Sequence, residues 1–223
     1  MNKIAQAVVV AACLMGAGTA QAQRGGLGGL LGGAKSSNSG GDIGASVGTF
    51  VSQSAVLGAL TSQSLVAINS AFMSKEDSAV IKAELNAINK LTDPGEKNVR
   101  TKQLYESQSA ETKRLLDSGD MKGRMATLDA DGRKQIGNAL LNFGIGGLQA
   151  LELTKTGQAL VGQAGANPMN LTKIMPVKDT LPLLGKVVSD SGGIIAGVAK
   201  LAQGAKIDVP KVTASSKPVD LAF

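Results

Sequence analysis

The sequence predicts an all-α fold: a helical bundle of five or six helices, with a Gly-rich disordered N-terminal leader and an extended C-terminal tail. Three observations predict it. Apolar residues recur at steps of three and four through most of the chain between Ile43 and Leu201. Capping residues stand where the periodic runs open, and Gly or Pro where several of them close. The repeated ten-residue alternation that a β-barrel needs is missing.

The N-terminus is read as an export signal. Lys3, the apolar run Ile4 to Met15 and the small-x-small triplet Ala20-Gln21-Ala22 are the three parts of a secretory signal peptide, with Gln23 the expected mature N-terminus. The run is too short for an ordinary spanning helix. The expected location is the bacterial periplasm or beyond, after cleavage near Ala22. Val10-Ala11-Ala12-Cys13 resembles a lipobox. The apolar run before it is short and a conventional site follows, so Cys13 is expected to leave with the signal; a lipid anchor on Cys13 is the alternative. The chain therefore divides into a signal (1–22), a Gly/Ser-rich flexible leader (23–42), a helical domain (43–206) and an extended tail (207–223). The leader, QRGGLGGLLGGAKSSNSGGD, sustains neither a helical nor a strand period.

The first helix is expected over 43–73. Ile43, Val47, Phe50, Leu57, Leu65, Ile68 and Phe72 fall within about 40° of one line at 100° per residue. Ser54 and Thr61 interrupt that line, and the far face carries Ala45, Ser52, Ala59, Gln63 and Ser70. No charge occurs from Ile43 to Ser74, yet the load of Ser, Gln and Asn is too high for a normal bilayer span. What covers the uncharged second face is the open question: another helix of this domain or another molecule.

Ser74-Lys75-Glu76-Asp77 reads as a capping box opening a second helix to about Leu91, with Val80, Ile81, Leu85, Ile88 and Leu91 on one side. Asp93-Pro94-Gly95-Glu96 opens a third, to about Asp117, with Asp93 as cap and Pro94 at its first position. This one is heavily charged and reads as solvated, with Val99, Leu104, Leu115 and Leu116 as its core residues. Ser118-Gly119-Asp120 starts a short helix through Leu128. Asp131 is the expected cap of a long one running towards Ala164, where Gly144, Gly146 and Gly147 either bend it or admit a neighbour closely. Asn167-Pro168 stops it. The last helix is expected from Asp179 or Thr180, with Pro182 in its first turn, Leu181 to Leu201 covering an arc of roughly 160°, and Lys186, Asp190 and Lys200 opposite. Ile207 to Phe223 shows no helical period.

Composition argues against most chemistries. The chain has no His and no Trp, one Cys, which lies inside the signal, and one Tyr, Tyr105. The commonest general base and metal ligand are thus lacking, so no metal, no cofactor and no enzymatic activity are expected. Asp129-Ala130-Asp131-Gly132 looks like the start of a calcium loop, but Leu140 stands where the closing Glu is needed. Gly144-Ile145-Gly146-Gly147 follows no strand and lacks the phosphate-binding pattern. Glu106, Glu111, Asp117 and Asp120 sit among Lys and Arg without a spacing that singles out a pair, and Ser without His would need Lys as base.

The net charge is +6. Between Lys75 and Lys134 twelve cations face eleven anions, whereas from Lys155 onward eight Lys face four acids. That excess suits an anionic membrane surface. Nucleic acid is not expected, for want of Arg clusters and aromatics. The expected function is contact with an envelope protein partner, with itself or with a membrane; the alternative is a carrier enclosing an apolar ligand such as a lipid. The candidate interaction surface is Phe50, Leu57, Leu65, Phe72, Leu184, Val188, Ile195 and Phe223.

Overall fold

The uncharged stretch that opens at Ile43 is the helix on which the others assemble. The computed structural model describes residues 43–165, 168–213 and 215–221. They form α1 (Ile43–Ser70), α2 (Lys75–Lys90), α3 (Pro94–Asp117), α4 (Asp120–Ala126), α5 (Ala130–Gly165), a 3₁₀ turn at Pro168–Asn170, and α6 (Met175–Gly204). The all-α bundle is as the sequence predicts, and no strand occurs among the described residues. The expected signal peptide, the leader and Phe223 lie outside them.

Helix α1 packs most extensively on α5 and α3, and also on α6 and α2. Its line of Val47, Phe50, Leu57, Leu65 and Ile68 is buried, and Ser54 and Thr61 are buried with it. From Leu60 to Asn69 only Gln63 escapes full burial. The far face is covered only in part: Ala45 and Ser52 are exposed and Ala59, Gln63 and Ser70 half-buried, while its flank at Ser62 and Asn69 is closed by α3 of this same chain. Ser62 donates to the Thr101 carbonyl at 3.4 Å, and the Asn69 amide donates to the backbone oxygen and Oε1 of Gln108 at 2.9 and 3.0 Å. Thr112 returns a bond to Asn69 Oδ1 at 2.8 Å. A seam of uncharged donors and acceptors can be buried at little cost once each is paired; ionised groups there would carry a far larger desolvation penalty.

Helix α5 runs unbroken through its glycines, which serve close approach. A Cβ on Gly146 would strike the Thr61 methyl of α1, and one on Gly147 would lie 2.8 Å from Ser191 Cβ of α6. Near the other end, a Cβ on Gly157 would stand 2.8 Å from Leu181 and 2.9 Å from the Phe50 ring. Both neighbours thus run antiparallel to α5, in step with it. The start of α1, the end of α5 and the start of α6 share one end of the bundle.

The caps follow the sequence in part. Ser74 accepts from the Asp77 amide at 3.1 Å and Asp93 from the Glu96 amide at 2.6 Å. Before α5 the cap is Asp129, which accepts from the Gly132 amide at 2.8 Å; Asp131 is already inside the helix. Helix α6 begins at Met175, ahead of the expected Asp179 or Thr180. Pro176 lies in its first turn, where a missing N–H costs nothing, and Pro182 lies within the helix on an exposed side. Val80 and Val99, expected on core faces, are largely exposed, whereas Leu85, Ile88, Leu104 and Leu115 are buried.

Past α6 the backbone turns through Lys206 at φ 57°, with Ile207 N–H bonding back to the Ala202 carbonyl at 2.8 Å. The tail then lies along α5. The Asp208 carbonyl and Val212 occupy the space that side chains on Gly137 and Gly144 would fill. Asn142 grips Val219 twice, donating to its carbonyl at 2.7 Å and accepting from its amide at 2.9 Å.

Candidate functional site

The expected interaction surface divides on folding. Phe50, Leu57, Leu65, Phe72 and Leu184 are buried in the main core, so they pack this chain against itself and present no surface. Val188 and Ile195 are half-buried beside that core. Amphipathic spacing identifies the side that leaves water; it does not identify the partner on that side.

The chemistry that folding assembles lies where α3 meets α6. Asp190, expected on the open side of the last helix, is only 4 % exposed. Its Oδ2 accepts from Ser109 at 2.6 Å and from the Tyr105 hydroxyl at 3.3 Å, with Lys186 Nζ at 3.4 Å. Lys113 donates to Oδ1. Ser109 and Lys113 stand one turn apart on α3, and Lys186 one turn from Asp190 on α6, so helix spacing alone aligns these donors.

Burial pushes the Asp190 carboxyl upward. Hydrogen bonds from Lys113 and Ser109, with the charges of Lys186 and Lys113, outweigh it and hold the group below the usual carboxylate range. Burial first, then the charge of Asp190 and the bond to it, push the Tyr105 hydroxyl well above its ordinary value. A depressed carboxylate with both oxygens engaged is a weak base, and a phenol raised this far is a weak acid. The arrangement suits joining two helices better than moving protons.

The sequence reading missed this cluster because it counted apolar residues on α3. An uncharged period is there instead: Thr101, Leu104, Tyr105, Gln108, Ser109, Thr112 and Leu115 are all buried, at steps of one, three and four, among charged residues that are not.

Of the carboxylates considered for acid–base work, Glu111 accepts from Arg114 Nε and Nη2, both at 2.8 Å, and Asp120 stands 3.9 Å from Nη1 of the same guanidinium. The Arg114 hydrogen bonds hold Glu111 below its ordinary range against its own partial burial. Glu106 is half-buried and Asp117 exposed. Arg114 and Glu111 border an open groove of about 540 Å³ with Phe72, Met73, Asp77, Val80, Ile81 and Arg124. The Arg124 guanidinium donates to the Phe72 carbonyl at its edge.

Among the described residues no group of three or more Asp or Glu is placed to hold a metal ion. Two helices, α1 and α6, are long and apolar enough to cross a membrane by length and composition. Both bury polar groups against the bundle, Asn69 and Ser64 from α1 and Asp190 from α6. Compared with known proteins, the chain matches no family model, no curated protein and no solved structure.

Proposed function

We propose that this chain is an exported, non-enzymatic helical protein of the bacterial cell envelope that acts by contact with a protein or membrane surface. One observation carries the reading. The apolar faces of α1 and α6 are largely spent inside the bundle, yet Met169 and Leu171 in the connector before α6 and Met175 at its first position stand exposed. Clustered exposed apolar side chains cost solubility and mark contact sites. The buried carboxylate supports the same reading, since its oxygens serve helix packing. The groove beside Arg114 and Arg124 is open and bordered by charge, so it lends no support to a carrier of apolar ligands.

The test has two parts. Cell fractionation should place the chain outside the cytoplasm, shortened by its signal. Light scattering and in-cell cross-linking should then show a self-assembly or an envelope partner. A chain retained in the cytoplasm, or a strict monomer that cross-links to nothing, would sink the reading.

A further inference from the structure

We propose that residues 168–178, the connector leading into α6 together with its first turn, form a tip that docks on an anionic phospholipid surface. This rests on the contact reading above and names the partner. Met169, Leu171 and Met175 are 84, 45 and 50 % exposed and fall within one short stretch. They lie between the end of α5 and the first turn of α6, at the end of the bundle that the start of α1 shares. Exposed apolar side chains fit a surface that can mould around them, as a lipid headgroup layer does, without needing a matching pocket.

Charge selects the kind of surface. From Thr156 to Lys178 the only charged residues are Lys173 and Lys178, both exposed, and the first acid is Asp179. The adjoining start of α1 carries no charge at all. Up α5 the next charges are Lys155 and Glu152, paired with each other at 3.3 Å. They lie about 15 and 20 Å from the end of that helix at 1.5 Å per residue. The tip can therefore sink about 5–10 Å, the depth of an interfacial helix, while those charges stay in water. Asp179 stands one turn, about 6 Å, beyond Met175, so it limits insertion to the shallow end of that range, and it is next to Lys178. The two lysines add positive charge beside the exposed apolar side chains, which favours an anionic headgroup layer.

The experiment is flotation of the full chain with vesicles of phosphatidylglycerol and phosphatidylcholine, and with phosphatidylcholine alone. The wild-type chain should float with the first and much less with the second. Each lysine near an anionic surface is worth about fivefold in partitioning, so Lys173→Gln with Lys178→Gln should weaken binding by more than about tenfold. Met169→Ser with Met175→Ser should do so at least as strongly. Val80→Ser, at an exposed apolar site on α2, should change nothing. All variants share residues 1–42, so any difference belongs to the tip, and circular dichroism checks that each variant is folded. Equal flotation with both vesicles, no flotation, or undiminished flotation of both double variants overturns the proposal. If such a chain still cross-links to a protein in cells, the contact reading stands without the lipid tip; if it cross-links to nothing, both fail.

Discussion

The Ser109 hydroxyl donates to Oδ2 of Asp190 at 2.6 Å, joining residues separated by 81 positions. It fastens charged α3 to apolar α6, with Lys113 and Lys186 completing the grip from either helix. A carboxylate buried among four donors has exchanged water for bonds whose directions are fixed. That specifies how the two helices face each other more tightly than apolar packing alone would.

Replacing Asp190 by Asn should therefore lower stability by about 1–3 kcal/mol at neutral pH, read from the denaturant midpoint. The cost arises because two lysines lose their common partner. The pH dependence has a definite sign. The folded carboxyl lies below its unfolded value, so its stabilisation is complete above about pH 4 and is lost as pH falls through the folded value. The gap between the wild-type chain and Asp190→Asn should close in acid. A gap that persists undiminished in strong acid would mean the ionised form is not what stabilises the junction.

Tyr105 gives an optical reading of the same junction, because it is the chain's single Tyr. Its folded value lies above its unfolded one, so the stability it contributes is present below about pH 10 and is lost as pH rises beyond that. In an alkaline titration the phenolate absorbance should appear only as helical circular dichroism is lost. Phenolate forming in a chain that keeps its helices would show that water reaches the hydroxyl and that the Asp190 contact is not maintained.

These two residues also mark where the sequence was legible and where it was not. The Val47–Ile68 line, the Ser74 and Asp93 caps and the turn into the tail are local patterns, and the fold repeats them. Asp190 could be read only as a charge on the open side of α6, because its partner Lys113 is 77 residues away. The burial of Asn69 was illegible for the same reason; Gln108 and Thr112, which satisfy it, belong to another helix. Burial of a polar group depends on a distant partner, and periodicity carries no information about distant partners. The exposed tip was hidden by the opposite effect. Met169 and Leu171 sit in a connector without a period, so apolar character there had no face to be assigned to.

Two glycines, Gly146 of α5 and Gly193 of α6, make a paired prediction. Glycine inside a helix costs about 0.5–1 kcal/mol relative to Ala, so where space is open the substitution should stabilise. Gly193, with no atom within 4 Å of an added Cβ, should gain about that much as Gly193→Ala. Gly146→Ala should lose about 1–3 kcal/mol, because its Cβ would meet the Thr61 methyl across the contact between α1 and α5. Thr61→Ser removes that methyl and keeps the hydroxyl that bonds the Leu57 carbonyl at 3.0 Å. The double variant should recover most of the loss. Thermal melts of the four proteins decide it; additive effects would mean that Gly146 is needed for some other reason.

The tail offers a local test. Asn142 is almost fully buried and holds Val219 by both backbone groups, which makes its amide a clamp on a segment that has no ladder of its own. Asn142→Ala should loosen the tail around Val219 while leaving the bundle folded, since Asp208 and Val212 still pack at Gly137 and Gly144 and Leu221 is only partly buried against the core. Hydrogen exchange should then speed up many times at the Val219 amide, and much less at the Ile207 amide, which still bonds the Ala202 carbonyl. The global melting temperature should move little by comparison, as expected when a segment opens on its own. If both amides accelerate equally and melting falls in proportion, the tail is an integral part of the bundle and Asn142 stabilises the whole domain.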